Sequence, residues 1–215
     1  MPLIVPTILA RDLDDYASRI KRVRPFARRI HIDVTDGVFA DSTTPAIDQV
    51  YGIVGIPFDL HLMFEQPQSQ VAKIVKLHPR LAIIHAEADC DHLAVAAELH
   101  ANGIKAGLAV LPETTIESVR ELLPHFDHLL IFTGNLGENR GNFKSECLPK
   151  IAEARAINVG LEIGVDGGIN LNNVASVVCA GADVLYIGGA IHHAHNPALA
   201  YDALSRVVCL TVPGN

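Results

Sequence analysis

Positive charge is scarce in this sequence. Of 215 residues, 17 are Lys or Arg and 24 are Asp or Glu, for a formal net charge of −7 at pH 7. That balance speaks against a nucleic-acid partner, because neutralising phosphates needs a basic face. Long apolar runs are missing too: no stretch approaches the roughly 18 residues of a membrane-spanning helix. The opening MPLIVPTILARD has no basic leader, carries two prolines and meets Arg11 and Asp12 too early for a signal peptide. Paired cysteines are also absent. Cys90, Cys147, Cys179 and Cys209 form no CxxC unit and keep no regular spacing, so they read as reduced, mostly buried thiols and not as a disulfide framework. Charged residues make up only 19% against 49% hydrophobic ones, which excludes a disordered chain. The expectation is a cytoplasmic protein of one domain over 1–215, with neither membrane nor nucleic acid as a partner.

Two alternating patterns fill the chain instead. Short, largely apolar runs at 3–9, 29–34, 58–63, 81–85, 105–111, 128–132, 160–165 and 184–187 predict strands buried on both faces. Helical patterns lie between them at 12–23, 68–77, 93–100, 114–123, 148–156, 172–179 and 197–208, with 46–54 as an eighth. The segment 114–123 opens TTIE, which predicts a capping box between Thr114 and Glu117. Gly103 and Gly181 stand just after two of these helices, where a left-handed residue is wanted. Eight strands alternating with eight helical segments is the count of an α/β chain forming a single (β/α)8 TIM barrel; a doubly wound open sheet is the alternative.

In such a barrel the chemistry sits where the strands end. Side chains alternate along a strand, so in strand 2 His31 and Asp33 share a face while Ile30, Ile32 and Val34 take the other. Strand 3 places His61 between Leu60 and Leu62, and strand 7 ends on Asp166. Two imidazoles and two carboxylates at one mouth would make a divalent-metal site with nitrogen and oxygen ligands. The bland alternative is four separate polar groups, each satisfied in the core or at the rim, since spacing alone does not bring them together. Glycine is the second signal. Gly167-Gly168 follow strand 7 and Gly188-Gly189 follow strand 8, where backbone N–H groups can approach a phosphate; tight turns are the plainer explanation.

These residues sit in stretches that resemble the ribulose-phosphate 3-epimerase family along nearly the whole chain. The stretches are PTILARD (6–12), HIDVTDG (31–37), DLHLMFEQP (59–67), IIHAEA (83–88), GIKAGLAVLPETT (103–115), LPKI (148–151), VDGGINLNN (165–173) and AGADVLYIGGAI (180–191). The resemblance implies a phosphate-binding barrel that inverts the carbon beside a ketone, using one divalent metal (Zn, Mn, Fe or Co) and two aspartates. Position by position, His31, Asp33, His61 and Asp166 match the metal ligands, and Asp33 and Asp166 also match the acid/base pair. Thr7 stands where the family usually has a serine near the substrate, and Met63 matches a methionine lining the site. Gly167, Gly168, Gly188 and Gly189 match the phosphate loops, although serine is common at the last. The implied partner is a small sugar phosphate, and the implied assembly a homo-oligomer.

Departures from the family fall around the substrate and the lid. Thr35 replaces a methionine, Val38 a histidine and Leu111 a frequent asparagine. The loop that usually reads NPGFGGQ is here Asn135-Leu136-Gly137-Glu138-Asn139-Arg140-Gly141. Gly137 keeps a lid glycine, while Arg140 stands at a glycine position, where its guanidinium could bind phosphate or else pair with Glu138 or Glu146 on the surface. The implied reaction is 3-epimerisation of a pentulose or hexulose phosphate through an enediolate. Two other readings stay open: a decarboxylase or aldolase-type phosphosugar barrel, whose usual strand-end lysine is missing from Asp33-Val34-Thr35-Asp36, and a non-catalytic sugar-phosphate binder.

Overall fold

The computed structural model describes residues 1–53, 55–136 and 142–211. Among these, eight parallel strands close into a barrel in chain order: β1 (Leu3–Ile8), β2 (Ile30–Thr35), β3 (Phe58–Met63), β4 (Leu81–His85), β5 (Lys105–Val110), β6 (His128–Phe132), β7 (Glu162–Asp166) and β8 (Val184–Ile187). β8 pairs back onto β1, Leu3 beside Val184 through Pro6 beside Ile187, so the ring has no free edge and the open sheet is excluded.

Strict alternation sorts the strand residues into two apolar layers. One set, including Ile4, Ile8, Ile32, Leu60, Leu108 and Ile163, faces outward and packs with the helices in a large cluster. The other, Val5, Leu81, Ile83, Ala109, Leu130 and Val184, fills the barrel itself with Tyr186. Both layers exclude water, which is why the strands read as continuous apolar runs. The helices around the ring are α1 (Leu13–Val23), α2 (Val71–Leu77), α3 (His92–Ala101), α4 (Pro149–Ile157), α5 (Val174–Cys179), α6 (Gly189–His192) and α7 (Pro197–Thr211). Asp12 caps α1 by accepting from the Asp15 amide at 2.8 Å, and Asp91 caps α3 by accepting from the Ala94 amide at 3.0 Å. Gly103 and Gly181 have φ of +71° and +98°, as expected of residues ending α3 and α5.

Two expected helices did not form. The segment 114–123 holds only short 3-10 turns, Glu117–Val119 and, just beyond, Leu123–His125. The capping box fails because Thr114 donates its hydroxyl to Glu87, while the Lys150 ammonium takes the carbonyls of Leu111, Pro112 and Thr114 at 2.7–2.8 Å. Ser118, which a helix would bond to Thr114, bonds instead to the Thr115 hydroxyl at 3.2 Å. At 46–54 no helix occurs among the described residues, because the buried Tyr16 hydroxyl donates to the Tyr51 carbonyl at 2.5 Å and accepts from its amide at 3.3 Å. The short α6 went unforeseen.

The N-terminal end of the barrel is closed by charge. Asp59, fully buried, accepts from Arg29 Nε at 2.6 Å, Arg80 Nη1 at 3.0 Å and the Tyr186 hydroxyl at 2.9 Å. Glu162 takes both guanidinium groups at 3.0–3.2 Å and His128 Nδ1 at 2.9 Å. Gly164 makes the room: a Cβ there would lie 2.5 Å from the Tyr186 ring and 2.8 Å from that of His128. The Tyr186 ring, 4.2 Å from that of His31, separates this plug from the opposite mouth.

Candidate metal centre

Inward positions toward the C-terminal ends of the strands carry the polar residues. Strand register sets Thr7 beside His31, Asp33 beside His61, Thr35 beside Met63 and Phe132 beside Asp166. Asp33 Oδ1 lies 2.8 Å from His61 Nδ1 and 3.1 Å from His31 Nε2, and His31 Nε2 is 3.9 Å from Asp166 Oδ2. One donor atom from each of His31, Asp33, His61 and Asp166 falls within 4.8 Å of the others. Both histidines are fully buried.

Among the described residues the His31 nitrogens have no hydrogen-bond partner, since Nε2 approaches Asp33 closely but without the alignment of a hydrogen bond. An unsatisfied buried nitrogen costs about 1–3 kcal/mol. A cation between this lone pair and two carboxylates relieves that cost, and a set of two imidazoles and two carboxylates suits a first-row divalent ion.

The two carboxyl groups are driven apart. Burial, then the neighbouring Asp33 charge, pushes Asp166 up to about 7. Burial works on Asp33 the same way, but His31 and His61 overcome it and hold that carboxyl well below the usual carboxylate range. Burial brings His61 down to about 4 against the pull of Asp33, whereas His31 rises despite its burial because Asp33 favours its charged form.

The other expected residues fall around this cluster. Thr7 is buried on the inward face of β1, and its carbonyl accepts from His192 Nε2 of α6 at 2.8 Å. Met63 packs with Leu9, Ala40, Phe39 and Leu136 in an apolar patch. Gly167 and Gly168 have φ of +110° and +73°, and a Cβ on Gly167 would collide with the backbone of Gly134. Thr133 locks this approach, its hydroxyl meeting the carbonyls of Asp166 at 2.9 Å and Gly167 at 2.6 Å. Packing of the β6 and β7 ends thus accounts for one glycine by itself. Gly188 and Gly189 open α6. Gly137 and Arg140, with the alternative partner Glu138, lie outside the described residues. Of the departures, Thr35 spends its hydroxyl on the Ser42 carbonyl at 2.6 Å, and Val38 is 73% exposed.

Sequence reasoning gave no role to His85 and Glu87. His85 Nε2 lies 2.9 Å from His61 Nε2, and Glu87 meets the other side of His85 at 3.3 Å. The signal was present in IIHAEA, where alternation from Ile83 turns His85 inward.

A parallel barrel with titratable groups gathered at the mouth where its strands end has the architecture of a (β/α)8 enzyme. The ribulose-phosphate 3 epimerase family matches residues 3–192. A ribulose-phosphate 3-epimerase of Mycobacterium bovis is 34% identical over 212 residues, covering 95% of this chain and 92% of that one. The Bacillus subtilis protein of the same name is 33% identical over 199 residues, covering 88% and 91%. The chain belongs to the ribulose-phosphate 3-epimerase family and is an isomerase of the carbohydrate-epimerase kind. Among solved structures, 3-keto-L-gulonate-6-phosphate decarboxylase from Vibrio cholerae is similar with a TM-score of 0.74 at 12% identity over 99% of both chains. 3-Hexulose-6-phosphate synthase from Salmonella typhimurium gives 0.73 at 14%, over 97% of this chain and 99% of that one. At such identities the likeness shows the fold alone. No helix among the described residues is long and apolar enough to cross a membrane.

Proposed function

We propose that the chain interconverts the C3 epimers of a phosphorylated ketose, ribulose 5-phosphate and xylulose 5-phosphate or a related pentulose or hexulose phosphate. Asp33 and Asp166 are the proton carriers, and His31, Asp33, His61 and Asp166 hold one divalent cation, Zn, Mn, Fe or Co. The convergence of these four side chains on one point carries the reading. A bound divalent cation supplies Lewis acidity, which lowers the cost of the negative charge that develops on the substrate when a hydrogen beside its carbonyl is removed.

The chain's own residues divide the remaining work. Asp33, held in its ionised form, takes the C3 proton through a carboxylate oxygen on one face of the substrate. Asp166, in its protonated form, returns a proton from the opposite face. The reverse reaction exchanges the roles. Thr7 and Met63 line the sugar, and the apolar patch of Leu9, Phe39, Ala40 and Met63 keeps water from the intermediate. Gly167, Gly168, Gly188 and Gly189, with the start of α6, hold the phosphate, and Gly137 and Arg140 are further substrate-binding residues of this reading. The phosphate thereby fixes the sugar between the two acids.

A panel of ketose phosphates incubated in deuterated water tests this reading. Deuterium should enter at C3 of at least one, and chelation should stop it. Exchange that continues in fully metal-stripped protein overturns the role of the cation, and no exchange from any phosphorylated ketose overturns the epimerase reading.

A further inference from the structure

Behind His61 runs a line of hydrogen-bonding groups that the reaction itself does not use. His61 turns Nδ1 toward Asp33 and Nε2 toward His85 Nε2, at 2.8 and 2.9 Å. The far nitrogen of His85, Nδ1, faces Glu87 Oε2 at 3.3 Å. The other Glu87 oxygen, Oε1, accepts from the Leu111 amide at 2.9 Å and from the Thr114 hydroxyl. His85 is fully buried, with the rings of Phe39 and Phe132 at 4.8 and 6.3 Å. Thr114 begins the segment in which the expected helix failed to form, Leu111 stands three residues before it, and Lys150 fastens both carbonyls. The backbone at this point is committed to Glu87.

Two imidazole nitrogens in contact share one proton, so one must donate and the other accept. The direction is set from the ends of the line. Glu87 is an acceptor on both oxygens and needs a proton on His85 Nδ1. His85 Nε2 is then an acceptor, which places the His61 proton on Nε2. The His61 Nδ1 lone pair is left facing Asp33, and a lone pair against a carboxylate oxygen at 2.8 Å is repulsive unless a cation lies with them. The opposite direction, with His61 Nδ1–H donating to Asp33, leaves a bare His85 nitrogen against Glu87. The acids at the two ends therefore compete over the polarity of the line.

We propose that His85 and Glu87 are positioning residues that set the tautomer of His61, presenting its Nδ1 lone pair to a divalent cation. This rests on the metal reading above. Histidine ligands commonly give their second N–H to a carboxylate or carbonyl, and loss of that partner typically weakens metal binding about 10–100-fold. Here the carboxylate acts through a second histidine.

The geometry makes amide substitutions discriminating. In Glu87→Gln the Leu111 and Thr114 donors hold the amide oxygen at the Oε1 position, so the NH2 group faces His85 and reverses the line. This near-isosteric change should weaken zinc binding about 10–100-fold, measured by competition with a chelator. His85→Gln preserves the polarity, since its carbonyl can accept from His61 while its amide donates to Glu87. It should bind zinc within a few-fold of the wild type, and His85→Leu, which offers no acceptor, should not. Nitrogen-15 shifts of the zinc-loaded wild type should report the His61 proton on Nε2.

Wild-type zinc affinity in Glu87→Gln, or equal affinities in His85→Gln and His85→Leu, overturns the positioning role while leaving the metal centre intact. If the folded wild type binds no zinc, both readings fall. If Glu87→Gln shows no cooperative unfolding transition, the two His85 variants decide.

Discussion

Replacing Asp59 with alanine removes the acceptor at the centre of the charged plug. Three donors lose a partner: Arg29 Nε at 2.6 Å, the Tyr186 hydroxyl at 2.9 Å and Arg80 Nη1 at 3.0 Å. The Arg80 side chain is 25% exposed and can recover a water, but the Arg29 side chain is 5% exposed and Tyr186 is buried. The stranded Arg29 Nε costs about 1–3 kcal/mol, and the Tyr186 hydroxyl, left as a donor with only the longer contact to His128 Nε2 at 3.3 Å, adds at most as much again, for an upper bound of about 6 kcal/mol. Arg29 keeps Glu162, which leaves its charge partly compensated. The result agrees with the roughly 3–5 kcal/mol lost when one partner of a buried ion pair is removed. For a chain of this size, 1 kcal/mol corresponds to about 2–4 °C, so the midpoint should fall by about 6–20 °C. Urea and thermal unfolding of wild type and Asp59→Ala measure the difference directly. A loss under about 1 kcal/mol would refute the reasoning, because that is the worth of a solvated surface pair.

Asp33→Asn and Asp166→Asn are each expected to cut kcat by at least about 10²–10⁴-fold, with metal content measured alongside because both residues also hold the cation; full activity in either variant removes that residue as a proton carrier. Gly167→Ala puts a side chain at φ +110° against the Gly134 backbone and should destabilise the chain by more than about 1 kcal/mol in urea unfolding; an unchanged midpoint would mean that the β6 and β7 ends can separate freely. If Arg140 binds the phosphate, Arg140→Ala should cost about 1.5–3 kcal/mol in affinity for a phosphorylated ketose and nothing for the free sugar. Unchanged affinity assigns Arg140 to a solvated surface pair worth about 0–1 kcal/mol.

The barrel was legible because its strands are buried twice over. Runs such as LAIIH and HLLIF admit no solvent face, and eight of them spaced by helical patterns leave few architectures. Alternation within one strand sufficed to pair His31 with Asp33 and to turn His61 away from Leu60 and Leu62. Local chemistry also marked the start of α1 at Asp12 and the left-handed ends at Gly103 and Gly181.

What the sequence could not decide were contacts between distant segments. The TTIE opening is a sound helix start until Glu87 takes the Thr114 hydroxyl and Lys150 its carbonyl. The segment 46–54 lost its helix to Tyr16, a residue of α1. The charged plug draws Arg29, Asp59, Arg80, His128, Glu162 and Tyr186 from around the barrel, and no spacing announces it. Asp166, on β7, reaches Asp33 and His61 across the interior only because β8 closes onto β1. Propensity and alternation act over a few residues, so they can be read along the chain. Partnership among buried polar groups depends on which strands become neighbours and how far the ring carries each side chain inward, and closure of the barrel sets both.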